Sequence, residues 1–112
     1  MAINTVVMSD IERIVYDWLT RHKIDFQFQT SMSGGFYELG GIVVDFLLPE
    51  RGIAIRVMGE YYHRGAVPEG KAEIQREELT AMGWIVVDCW GDDLKERLDE
   101  TMTKAIRGEE ML

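Results

Sequence analysis

One cysteine, two prolines and two histidines in 112 residues leave few ways to staple or break this chain. The lone Cys89 cannot close an internal disulfide, so a reducing, cytoplasmic setting is the expectation. Its surroundings, "WIVVDCW", mark it as a small buried hydrophobe rather than a reactive thiol. No apolar run approaches the roughly 20 residues a membrane helix needs. Met1 leads into no basic-then-apolar segment of the secretory kind, and no membrane partner is expected. Basic side chains are also short: 12 Lys and Arg stand against 20 Asp and Glu, a net charge of −8. That balance argues against a general polyanion binder, whose affinity comes from neutralised phosphates. The deficit is uneven, with 6 basic and 8 acidic residues over 1–64 and 6 and 12 over 65–112. A surface that faces phosphate is therefore expected from the N-terminal half or from the His63–Arg64 loop.

What the chain does have is ordinary globular material, 46% hydrophobic and 29% charged, enough for one core in a single domain spanning 1–112. In "SDIERIVYDWLTRHKI", Ile11, Ile14, Val15, Trp18 and Leu19 recur at helical spacing, and Ser9 followed by Glu12 is a capping-box pattern. His22, flanked by Arg21 and Lys23, reads as a partner for the helix C-terminus. "DFQFQTSM" alternates as a half-buried strand, "SGG" at 33–35 is a turn, and 36–40 is a loop or short strand. "IVVDFLL" and "IAIRVM" are strands joined by the tight turn "PERG" into an antiparallel hairpin. The second of them is apolar on both faces and so central. "GEYYHRGAVPEG" is a loop, and "KAEIQREELTAM" is a helix carrying Ile74, Leu79 and Met82, stopped by Gly83. "WIVVDCW" is a buried strand, reached by a crossover to a parallel neighbour. "DDLKERLDETMTKAI" is a last helix with Leu94, Leu98, Met102, Ala105 and Ile106 inward, and "RGEEML" is a frayed tail. The expected fold is α/β, a mixed four-stranded sheet flanked by helices in the order αβββαβα.

Two kinds of residue stand out against that core. Asp45 is a hard oxygen ligand in a strand that otherwise needs none, and Mg²⁺ takes one or two carboxylates with water and phosphate. A strand-end hydrogen bond or salt bridge is the structural alternative. His63 ends the aromatic run and suits a general base or a cation beside a transition state; alternatively its ring rests on Tyr61 or Tyr62. Glu60 is close enough in sequence to orient His63 or join a metal shell, or is a solvated loop acid. Tyr61, Tyr62 and Arg64 have the chemistry to stack on bases or meet phosphate, or else close the rim of the core.

The stretch "VDFLLPERGIAIRVMGEYYH", followed at the right distance by "LTAMGWIVVDCW", resembles the PD-(D/E)XK nuclease superfamily. Within it the resemblance is to the very-short-patch-repair endonucleases and homing-endonuclease catalytic domains, and it runs from Glu12 to about Leu94. It implies a restriction-endonuclease-like fold and a Mg²⁺-dependent DNA endonuclease. Asp45 and the backbone carbonyl of Val57 would bind the metal, with His63 and the helix-borne Glu12 as further catalytic groups. DNA is the implied partner, reached through a homodimer or a separate targeting protein, because so small a domain has little surface for base readout. The chain departs from the common pattern where the third strand supplies Glu-x-Lys: here those positions are Arg56 and Met58. The histidine that the repair branch carries on this strand also matches Met58, and the acid early in the next helix is nearest to Glu73, with Glu69 behind it. Arg56 paired with Asp45 would make an inert salt bridge, and the chain would then be a catalytically degenerate module that binds protein or DNA structure.

Overall fold

The computed structural model describes residues 8–28, 38–39, 42–58 and 71–111. Residues 59–70, and with them Glu60, Tyr61, Tyr62, His63, Arg64 and Glu69, lie outside the described residues, as does the expected turn at 33–35.

Helix α1 (Asp10–Arg21) starts where the sequence says it should. Ser9 Oγ accepts the Glu12 N–H at 3.2 Å, and the Ser9 N–H donates to Glu12 Oε1 at 2.9 Å. Its buried face is Ile11, Val15, Trp18 and Leu19, a stripe at helical spacing. The helix ends at His22, whose ring nitrogen lies 2.9 Å from the Trp18 carbonyl and whose ring stacks on Trp18 at 3.8 Å. Lys23 then takes a left-handed turn, φ 58°, into β1 (Gln27–Phe28).

A short ladder pairs β2 (Glu38–Leu39) with β3 (Ile42–Val43), so the 36–40 region does hold a strand. The main sheet follows: β4 (Phe46–Leu48), β5 (Ile53–Met58) and, after α2 (Lys71–Ala81), β6 (Ile85–Trp90). Its order is β1-β4-β5-β6, antiparallel except for the parallel pair β5–β6, so the expected mixed four-stranded α/β sheet is the observed one. β5 is the central strand with both faces covered, as its apolar run requires. Gly52, at φ 68°, closes the β4–β5 turn in a conformation costly for a side chain with a Cβ.

The two sheet faces are packed differently. Phe46, Leu48, Ile53, Ile55, Val87 and Cys89 meet α1 and the C-terminal helices in the larger core. Val44, Leu47, Ala54 and Val86 meet α2 through Leu79, with Trp84 beside it. Helix α2 carries no apolar stripe to this face: Ile74 and Met82 are exposed, 56% and 43%, and only Leu79 of the three expected is buried. Gln75 and Arg76 reach the sheet instead, so α2 docks largely through polar groups.

Two further expectations are corrected. The last helix is two, α3 (Gly91–Glu96) and α4 (Leu98–Ala105), broken at Arg97 with φ −141° and ψ 51°. Leu94, Met102 and Ala105 still point inward across the break. The tail is not frayed through Glu110. Gly108 turns at φ 79°, and Glu110 Oε2 accepts from Arg76 at 2.6 Å and from the Asp88 N–H at 2.9 Å. Glu110 thereby satisfies an outward-facing donor on β6, an edge strand of the sheet.

Candidate metal centre

Asp45 sits where β3 has ended and β4 has not begun. The apolar segment 42–48 reads in sequence as one strand, yet the chain bends at Asp45. The bend interrupts the alternation of faces. Phe46 and Leu48 enter the α1 side, and Leu47 the α2 side; Val44, which strict alternation would send with Phe46, packs on the α2 side. Both neighbours, Val44 and Phe46, are buried at 2% and 0%, which anchors the bend on either side.

The carboxyl of Asp45 replaces a ladder bond that the bend removed. Asp45 Oδ2 accepts the Val57 N–H at 2.7 Å. In an antiparallel pair the N–H and C=O of one residue leave the same strand edge, so the Val57 carbonyl faces the edge that Asp45 occupies. Glu12, in the first turn of α1, comes to the same place, and its carboxyl hydrogen-bonds the Asp45 side chain. Burial pushes the Asp45 carboxyl up to about 7. The Val57 N–H works against that rise by favouring the anion, while the shared hydrogen bond and the like charge of Glu12 add to it. The more distant charge of Arg56 lowers it slightly.

Glu12 therefore serves the capping box and also meets Asp45. Its Oε1 takes the Ser9 N–H of the capping box, while the same carboxyl contacts Asp45 from the helix. Two acids that meet where burial already opposes the Asp45 charge form a site that a dication would relieve, because the cation offsets their repulsion. Among the described residues, no group of three or more His, Cys, Asp or Glu gathers to hold a metal. The donor set, two carboxylates and a nearby main-chain carbonyl, fits Mg²⁺, which keeps several waters and takes oxygen ligands only.

Arg56 does not enter this corner. Alternation along β5 puts its side chain on the α2 face, where Nε donates to Asp88 Oδ1 at 2.6 Å and Nη2 to Asp88 Oδ2 at 2.9 Å. Nη1 donates to Gln75 Oε1 at 2.9 Å, and Asp88 also accepts from Arg76 at 2.9 Å. The inert Arg56–Asp45 bridge is thus replaced by a bidentate pair with Asp88, directly across the parallel ladder. Burial opposes ionisation of Asp88, but the hydrogen bonds and charges of Arg56 and Arg76 outweigh it and hold the carboxyl below the ordinary range. Asp88 and Glu110 lay hidden in sequence. The signal for Asp88 was an acid within an apolar strand, at the same place in its strand as Arg56 is in its own.

The Arg56–Asp88 pair is nearly dry, with Arg56 only 6% exposed. Arg56→Ala is expected to destabilise the fold by about 3–5 kcal/mol, because it leaves a buried carboxylate short of a partner. A urea midpoint at pH 7 measures this; a loss under 1 kcal/mol would show that Arg76 alone satisfies Asp88. Of the other residues singled out, Met58 lies on the α2 face by the same alternation and is buried, while Glu73 is exposed on α2, on the far side of the sheet from Asp45.

No protein-family model and no curated protein sequence matches the chain. Among solved structures, the catalytic domain of the homing endonuclease I-Bth0305I is similar, with a TM-score of 0.65 and 22% sequence identity over 87% of this chain and 93% of that one. The mixed four-stranded sheet with its flanking helices is thus the fold of an endonuclease catalytic domain.

Proposed function

We propose that the protein is a Mg²⁺-dependent DNA endonuclease of the PD-(D/E)XK type, close to the very-short-patch-repair branch. The observation that carries this reading is the half-buried Asp45–Glu12 pair beside Val57, on a fold shared with a homing-endonuclease catalytic domain. Asp45 and Glu12 would hold the metal, with the Val57 carbonyl as a third ligand. When bound, Mg²⁺ would supply charge neutralisation at the scissile phosphate and a water acidified for attack. The chain's own contribution is positional: β5 fixes Asp45 through the Val57 N–H, and α1 brings Glu12 to Asp45. His63 is assigned the proton, with Glu60 to orient it, and Tyr61, Tyr62 and Arg64 are assigned contacts to bases and phosphate. At −8 the protein is a poor general DNA binder, so a homodimer or a separate targeting protein would bring it to its site.

Cleavage of plasmid DNA in Mg²⁺ tests this directly. The wild-type protein nicks or cuts, and Asp45→Asn does not while keeping its circular dichroism spectrum. Equal cleavage by Asp45→Asn would remove the mechanism.

The second reading is a catalytically degenerate module of the same fold that binds protein or DNA structure. Arg56 and Met58 at the Glu-x-Lys positions favour it. It predicts no cleavage and no stabilisation by Mg²⁺, whereas the endonuclease reading predicts both.

A further inference from the structure

The proposed pair is held at both ends by main chain. Asp45 Oδ2 takes the Val57 N–H at 2.7 Å, and Glu12 Oε1 takes the Ser9 N–H at 2.9 Å. A glutamate has three side-chain torsions, so a helix-borne Glu normally costs rotamer entropy to fix on a ligand. Here the reciprocal cap already restricts it: Ser9 Oγ holds the Glu12 N–H at 3.2 Å while the Ser9 N–H holds the carboxyl.

We propose that Ser9 is a positioning residue for the metal site, acting through its main-chain N–H on Glu12 rather than through its hydroxyl. The capping box thus serves two tasks with two separate donors. The hydroxyl starts the helix, and the N–H aims the Glu12 carboxyl at Asp45. This rests on the reading of Asp45 and Glu12 as metal ligands. Outer groups that orient a ligand typically change metal affinity by about 10–100-fold.

The two tasks separate by substitution. Ser9→Ala removes the hydroxyl and keeps the N–H. Ser9→Pro removes both, and at φ −71° the backbone of Ser9 already lies in the range of proline. Mg²⁺ and Mn²⁺ affinities of the full chain are measured by calorimetry for wild type, Ser9→Ala, Ser9→Pro, Glu12→Gln, Asp45→Asn and the double variant Ser9→Pro/Glu12→Gln. The expected result is that Ser9→Ala lowers the melting temperature yet binds metal within about twofold of wild type, whereas Ser9→Pro binds about tenfold or more weakly, in line with outer-shell losses. In the Glu12→Gln background Ser9→Pro should have no further effect on affinity, as a double-mutant cycle requires if the two act through one path.

Wild-type affinity in Ser9→Pro, with binding lost in Asp45→Asn, overturns the positioning role and leaves the metal reading intact. An undiminished effect of Ser9→Pro in the Glu12→Gln background overturns it equally. Wild-type affinity in Asp45→Asn and Glu12→Gln overturns the metal reading and this inference with it. Should Ser9→Pro fail to fold, the amide proton resonances of the wild-type chain decide. Those of Ser9 and Val57 shift together when Mg²⁺ is added, and a still Ser9 resonance beside a moving Val57 contradicts the proposal.

Discussion

Asp45→Asn is expected to be more stable than the wild type at pH 8 in the absence of metal, although the wild-type residue is the better ligand. The reason is the direction of the carboxyl's shift. Its folded value is about 7 against an ordinary 3.8, so between those two pH values the folded chain keeps a proton that the unfolded chain has released. Stability contributed by that proton is complete below about 4 and is lost as pH rises through about 7, at up to about 1.4 kcal/mol per pH unit. Asparagine keeps an acceptor for the Val57 N–H and has no proton to lose. Urea midpoints at pH 5 and pH 8 should therefore fall for the wild type and stay level, as far as this group is concerned, for Asp45→Asn. Parallel pH profiles for the two proteins would mean that Asp45 ionises normally in the fold.

Mg²⁺ should reverse the wild-type trend. Its ligands must be deprotonated, so binding tightens as pH rises through the range in which the metal-free protein weakens. A ligand at 100 times its dissociation constant stabilises the native state by about 2.7 kcal/mol, several degrees of melting temperature for a domain of this size. Mg²⁺ is therefore expected to raise the melting temperature at pH 8, to raise it less at pH 6, and to leave it unchanged at either pH in Asp45→Asn. A rise of equal size at both pH values, or one that survives Asp45→Asn, would place the cation elsewhere. No rise in the wild type would favour the degenerate module.

How much of this was legible in the sequence depends on what kind of signal each feature left. The stripe on α1, the capping box, the Pro-Gly turn and the doubly apolar β5 are local patterns, and each appears where its residues required. The partner of Arg56 was not legible. Asp45 was the expected partner, but alternation along β5 turns Arg56 to the α2 face, where its partner Asp88 is 32 residues away in sequence. The split at Arg97 has neither Gly nor Pro to announce it. Glu110 looked like part of a frayed tail because its partners, Arg76 and the Asp88 N–H, are brought to it only by the fold. Glu12 was legible as a cap and, through resemblance, as a site acid; only the fold shows that one carboxyl reaches both Ser9 and Asp45.

The most direct measurement is a crystal structure grown with Mn²⁺ at pH 8, examined for anomalous density. The expected result is a single strong peak beside the carboxyls of Asp45 and Glu12, with the Arg56 guanidinium still on Asp88. A peak distant from both carboxyls, or unbroken contact between the two acids at saturating Mn²⁺, would contradict it.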